Sequence, residues 1–141
     1  MSMKVVIKSL VMVFMCAVIM VGASLNVQAN KQITLEKDTY YWAGNNRGQF
    51  LCGKGHVIIL YDNDTLREAY VKYGAHFFVA NGDYVLFKEG FIGLHPNGMV
   101  RFGALDGDYF LENDKGEKKR YNANPNKTIF FNEKGQVTGY Y

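Results

Sequence analysis

The residues able to do chemistry are few and scattered. His56, His76 and His95 fall in separate places, and none belongs to a His-x-His, His-Glu-x-x-His or Cys-x-x-Cys pattern. A zinc site needs three or four converging ligands, which this spacing does not supply, so no metal site is expected. Cys52 and His56 are four residues apart. Along a strand that spacing separates them by about 13 Å, beyond the reach of a nucleophile–base pair. No serine occurs after residue 29, which excludes a serine triad in that part of the chain. Asp62, Asp64, Asp83, Asp106, Asp108 and Asp114 all lie among turn-forming residues, where aspartate commonly bonds its own backbone. Asp106-Gly107-Asp108 lacks the ligand spacing of an EF-hand, and Gly53-Lys54-Gly55 is not followed by the Ser/Thr and helix of a phosphate loop. No catalytic residue, cofactor site or enzymatic activity is expected. What remains is aromatic. The chain holds ten Tyr, ten Phe and one Trp, and Tyr40-Tyr41-Trp42 forms a ledge suited to a binding surface.

The elements that must carry these residues begin after an address. Lys4 and Lys8 precede an apolar run from Leu10 to Val21, and Val27-Gln28-Ala29 offers a small-x-small cleavage site. That layout predicts a signal peptide over 1–29, a single β-domain over 30–141, and a secreted or periplasmic location. The run is short for a bilayer crossing, and no second one follows, so no membrane span is expected after cleavage. Losing Lys4 and Lys8 leaves 14 basic against 13 acidic residues, a formal charge of +1 rather than +3. No basic stripe remains to follow a phosphate backbone, so nucleic acid is not an expected partner. Cys16 leaves with the leader. Cys52 is then alone in an apolar context, Phe50-Leu51-Cys52, and reads as an inert thiol with no internal disulfide to form.

The remaining chain repeats a phrase. Ile58 to Val71, moved by 34 residues, lands on Ile92 to Leu105, and a third copy closes the chain at Ile129 to Tyr141. Thr34 to Asp38 resembles the end of the unit at Ala104 to Asp108, so the chain opens on the tail of one unit. A period of about 35 residues marks modular architecture. Each copy reads as a hairpin. Ile92 and Leu94 alternate, Pro96-Asn97-Gly98 turns, and Val100 and Phe102 resume the alternation. Asn97, Gly98 and Gly135 are the structural turn residues, with φ > 0 expected at both glycines, while Asp64 replaces glycine in the first copy. Leu60, Leu94 and Phe131 should occupy equivalent places on one side of the sheet. Between copies, His76 to Phe87 and Asp108 to Tyr121 repeat the strand–turn–strand pattern, the second around a longer charged segment. Thr65 to Lys72 has helical propensity but sits in the repeat register and is assigned to a strand.

The stretch Ile92 to Leu105, with its Asn-Gly turn and short return strand, resembles the hairpin repeat of MORN-like bacterial proteins. The resemblance implies an extended or curling antiparallel sheet and a structural, scaffolding or surface role. The regular glycine–tryptophan elements of that family are absent, Trp42 being the sole tryptophan, so architecture alone is carried over.

The expected fold is all-β: eight to ten short strands in antiparallel hairpin repeats of about 35 residues, forming a rolled or barrel-like meander sheet. Val137 to Tyr141 is expected to close it against Gln32 to Leu35, the alternative being self-association through edge strands. The function expected is that of an exported non-catalytic protein with a structural or binding role toward a protein or envelope component. The other reading is an inhibitor of a cell-wall hydrolase, or a small-ligand carrier, on a β-barrel, with Leu111 to Arg120 as its contact loop.

Overall fold

A computed structural model describes residues 30–141. The leader assigned to 1–29 lies outside the described residues. Thirteen strands and two 3-10 turns make up the described chain. The strands are β1 (Asn30–Thr34), β2 (Thr39–Trp42), β3 (Gln49–Cys52), β4 (Val57–Tyr61), β5 (Leu66–Val71), β6 (Ala75–Phe78), β7 (Tyr84–Phe87), β8 (Gly90–Leu94), β9 (Val100–Gly103), β10 (Tyr109–Glu112), β11 (Lys118–Tyr121), β12 (Ile129–Phe131) and β13 (Val137–Tyr140). The count exceeds the expected eight to ten because β1, β2 and β3 precede the first full phrase. No helix among the described residues is long and apolar enough to cross a membrane.

The strands divide into two kinds of hairpin. One kind, β4–β5, β8–β9 and β12–β13, joins edge to edge in a sheet of order β1-β4-β5-β8-β9-β12-β13. They fall within the segments Ile58 to Val71, Ile92 to Leu105 and Ile129 to Tyr141 apart from Val57 of β4 and Gly90 and Phe91 of β8, and they share local geometry. In each, the turn closes with an N–H to C=O bond three residues back: Asp64 to Tyr61 at 2.9 Å, Gly98 to His95 at 2.9 Å, Gly135 to Asn132 at 2.9 Å. The fourth turn residue has φ of 67°, 87° and 80° respectively. Just beyond, the register slips at Ile59/Leu60, Gly93/Leu94 and Phe130/Phe131, the mark of a β-bulge, which adds twist. Leu60, Leu94 and Phe131 are all buried, at equivalent places. Thr65 to Lys72 contains β5, so the repeat register prevails over helical propensity there.

The other kind, β2–β3, β6–β7 and β10–β11, alternates with the first. β6–β7 and β10–β11 form two-stranded sheets of their own, and β3 touches the main sheet only at the pair Cys52–Val71. An isolated two-stranded hairpin is marginal in water, so these must be held by packing. They supply Phe50, Phe77, Val85, Phe87 and Leu111 to the same apolar cluster as Ile58, Leu94, Ile129 and Phe131 of the sheet. Phe50 stacks on Phe77 with ring centroids 4.0 Å apart, and Phe87 meets Phe131 edge-on at 6.2 Å.

Hairpin tips lock onto sheet turns. The Ala80 N–H, in the β6–β7 tip, donates to Gly135 O at 2.9 Å. A Cβ on Gly98 would collide with Gly44 O in the β2–β3 tip, and one on Gly135 would collide with Ala80 N. Glycine at these two places therefore serves both a left-handed φ and a close approach. Asn97 links successive turns, its Nδ2 donating to Glu133 O at 2.8 Å while its own carbonyl accepts from Arg47 Nε at 2.9 Å.

The expected closure does not form. Among the described strands β13 pairs with β12 and β1 with β4, at opposite ends of the order. Strand direction explains it. Every pairing along the seven-strand path is antiparallel, so β1 and β13 run in the same sense. Closing them would require a parallel pair in an otherwise antiparallel sheet.

Gly116, in the β10–β11 turn, provides an internal comparison. It has φ 79°, close to the 87° of Gly98, yet a Cβ there would meet nothing within 4 Å among the described residues. Asparagine tolerates this φ. Gly116→Asn should change stability by about 0.5 kcal/mol or less, whereas Gly98→Asn should cost roughly 1–3 kcal/mol, read from urea midpoints. Equal effects would show that φ alone, and not the docked tip, demands glycine at 98.

Candidate functional site: exposed aromatic faces

The groups able to react are each tied up locally. His56 stacks on Tyr70 with centroids 4.0 Å apart, and Phe91 meets it edge-on. His76 stacks on Tyr84 at 5.1 Å. His95 places Nε2 2.9 Å from the carbonyl of Phe131 on the neighbouring hairpin. Cys52 is fully buried, its Sγ 3.6 Å from Phe50 O, and burial pushes its thiol up to about 12. A thiol so desolvated forms almost no thiolate at neutral pH. It lies in the core, whereas His56 stacks beside half-exposed rings. Among the described residues no three His, Cys, Asp or Glu side chains form a group able to hold a metal ion.

The carboxylates act as fasteners. Asp38 accepts from Lys72 Nζ at 2.7 Å and from the Lys54 N–H at 2.8 Å, and these bonds hold its pKa below the ordinary value. Asp108 is lowered likewise, first by the Ala123 N–H and then by Arg120. Glu89 accepts from the Tyr70 hydroxyl at 2.7 Å and from the Tyr73 N–H, and Glu112 accepts from Gln136 and Asn81. Both are lowered by those bonds. Each ties one strand or hairpin to another.

The run Tyr40-Tyr41-Trp42 divides between the two faces of its strand. Alternation along β2 sends Tyr40 and Trp42 outward, 59% and 48% exposed, while Tyr41 packs against the core opposite Phe50. Tyr41 therefore leaves the candidate surface. The same register recurs on the other covering hairpins. His76 and Phe110 stand 36 and 34 residues from Tyr40 and His76 respectively. Both are exposed, as is Tyr84, which also packs beside Phe78 with centroids 4.7 Å apart. Arg47 lies over Phe78, its guanidinium carbon 5.8 Å from the ring centre, joining the first hairpin to the second. Each covering hairpin thus presents at least one aromatic ring outward.

A second aromatic face lies on the main sheet, and reasoning from sequence missed it. Tyr70 pairs with Phe91 across β5–β8, and Phe102 with Phe130 across β9–β12. Phe102 spreads over Gly93, and Tyr141 over Gly139, where a Cβ would collide with each ring. The signal was there in the two later copies of the phrase, where Phe102 stands opposite Gly93 and Phe130 opposite Gly139 on the neighbouring strand.

Leu111 to Arg120, expected as a long contact loop, is instead β10, a tight turn and β11. Asn113 shapes it. Its Oδ1 accepts the Lys115 and Glu117 N–H groups, each at 2.9 Å, as Asn132 does for Lys134 and Gln136 in the last sheet turn. Residues 114–120 are all exposed.

Comparison with protein-family models, with curated proteins and with solved structures finds no match for this chain.

The burial of Cys52 gives a measurable consequence. The native thiol should resist alkylation by a neutral maleimide at pH 8 and react promptly once denatured, as followed by mass. Because its folded pKa of about 12 lies above the ordinary 9.0, the stabilisation linked to the protonated thiol is fully present below pH 9 and is lost as pH rises toward 12. Rapid native labelling at pH 8 would contradict this assignment.

Proposed function

We propose that this chain is an exported, non-catalytic array of hairpin modules about 35 residues long, which binds an envelope component through the outward aromatics of its covering hairpins. The observation carrying the reading is the recurrence of an exposed ring at one register, Tyr40, His76 and Phe110, with Trp42 and Tyr84 exposed beside the first two. Folding alone does not call for large apolar side chains at solvent-facing positions of hairpins whose other side already fills the core. Tyr and Trp suit recognition because they offer large, stiff contact area at low entropic cost. The reactive groups described above serve packing and fastening, which favours a binding role over catalysis. The modular reading draws support from the shared turn and bulge geometry of the three sheet hairpins. It agrees with the sequence resemblance to MORN-like proteins in architecture. The curl of the sheet, expected from the bulges and the native twist of strands, belongs to the same proposal.

The test compares the wild-type protein with Tyr40→Ala/Trp42→Ala in sedimentation binding to isolated cell envelopes. Both side chains are about half exposed, so the double variant should melt within a few degrees of wild type. Its affinity should fall about tenfold or more, the loss typical of aromatic anchors. Tyr73→Ala removes another exposed ring, 76% accessible but outside the register, and should leave binding unchanged. Equal binding by all three proteins would refute the assignment.

A further inference from the structure

Strand direction makes one edge of the sheet a place where a second copy of this chain fits. Within the chain, the returning strand of one hairpin pairs antiparallel with the outgoing strand of the next, β5 with β8 and β9 with β12. Among the described strands, β13 is a returning strand paired on one side only, with β12. β4 is an outgoing strand with no full hairpin before it. Because the senses alternate along the path, β13 of one molecule would run antiparallel to β4 of another, the same relation that joins β5 to β8.

That place is filled by β1. It pairs with β4 over five residues, Asn30 opposite Tyr61 through Thr34 opposite Val57, and all five of its residues are exposed. Lys31 forms an ion pair with Asp64, which fastens the strand to the adjoining turn. Asp64 stands where Gly98 and Gly135 stand in the other two turns, with φ 67°. Those glycines each receive a hairpin tip, and a Cβ at either would collide with it. The side chain of Asp64 thus shuts the seat that a tip from another molecule would need.

The opposite end is closed in a matching way. Asn113, the buried polar residue among those described, bridges to Val137 at the start of β13, and the Asp114 N–H donates to Val137 O at 3.0 Å. Asp114 occupies the tip position held by Gly44 and Ala80 in the other covering hairpins. End-to-end joining would therefore bring the Asp64 and Asp114 carboxylates together, at a cost in both space and charge. Tyr140 is also engaged, its ring edge-on to Tyr121 at 5.8 Å and its hydroxyl bonded to Asn122 O.

We propose that β1, fastened by the Lys31–Asp64 pair, plugs the one sheet edge that accepts a second copy of this chain, holding the protein as a finite array that extends head to tail when the plug is displaced. The inference rests on the modular reading above and is independent of the aromatic binding role.

The experiment is sedimentation velocity over a concentration series, without any ligand, on the chain from Asn30 to Tyr141, which contains the whole described fold. Wild type should remain monomeric throughout. A variant lacking residues 30–34 and carrying Asp64→Gly with Asp114→Gly should associate with concentration, and a synthetic peptide of sequence Asn-Lys-Gln-Ile-Thr should return it toward monomer. A cooperatively melting variant that stays monomeric overturns the proposal, as does a wild type that associates with its plug in place. Should the deletion fail to fold, Lys31→Ala with Asp64→Gly and Asp114→Gly, in the chain from Asn30 to Tyr141, removes the fastening pair and both side chains that shut the seat. It should then show a rising sedimentation coefficient at the highest concentrations, and a strictly monomeric result overturns the proposal. The tip docking within the modular reading fails separately, if Gly98→Asn and Gly116→Asn prove equally costly; unequal costs without association reject the plug alone.

Discussion

The docking of covering-hairpin tips onto sheet turns is the interaction on which the rest of this structure depends. A sheet of short hairpins has two faces, and only one can be left to water. No disulfide restrains the described residues, whose one cysteine, Cys52, lies free in the core. The inner face must therefore be covered by the chain itself. β2–β3, β6–β7 and β10–β11 do so, but two strands with a turn do not hold their shape unaided. What fixes them is at their ends. At one end backbone bonds join them to the sheet, as Lys72 N to Leu51 O at 2.8 Å and Lys88 N to Ala104 O at 2.9 Å. At the other end Gly44 meets Gly98 and Ala80 meets Gly135. Between these two anchors the inward rings of Phe50, Phe77 and Phe87 are held over Ile92, Leu94 and Phe131, and the outward rings are presented to solvent as a consequence.

This arrangement joins the fold to the proposed function through a single residue period. Along each covering hairpin, alternate side chains go in and out. Once the core demands Phe77 and Val85 on the inside, His76, Phe78, Tyr84 and Leu86 must lie outside. The identity of those outward residues is then set by the core only indirectly, although Tyr84 also packs with His76 and Phe78 across the hairpin. The proposed recognition role rests on the exposure that remains to them. The sheet's own outer face differs, since its rings lie partly flat on glycines: Phe102 on Gly93 and Tyr141 on Gly139. There, aromatic residues cover bare backbone and stabilise cross-strand pairing, so packing accounts for much of their presence.

Much of the fold was legible from residue spacing because turns and alternation are local. The three phrases became the three sheet hairpins, with left-handed φ at Gly98 and Gly135, and the intervening segments became hairpins as well. Three features were not legible, each because it depends on distant parts of the chain. Alternation shows that Tyr41 and Trp42 face opposite ways, but not which side is covered, so Tyr41 entered the surface when it belongs with the core. Apolar strand-forming residues at Val137 to Tyr141 demand a partner, but only the count of intervening strands decides whether β1 can supply one. The role of Asp64 also stayed hidden. As a substitute for glycine it reads as a weak copy of the phrase, until the docked tips show that the first turn is the one with no tip to receive.

Native-state hydrogen exchange at Ala80 tests the dependence on tip docking most directly. Its N–H lies in a hairpin tip, and its bond to Gly135 O is the tip-to-turn contact itself. If docking holds the covering layer in place, this amide exchanges only through global unfolding, with the same opening free energy and denaturant dependence as amides of the central sheet strands β8 and β9. An Ala80 amide that exchanges through a local, denaturant-independent opening, while the central strands remain protected, would contradict the account. The tips would then rest on the sheet without holding the layer in place.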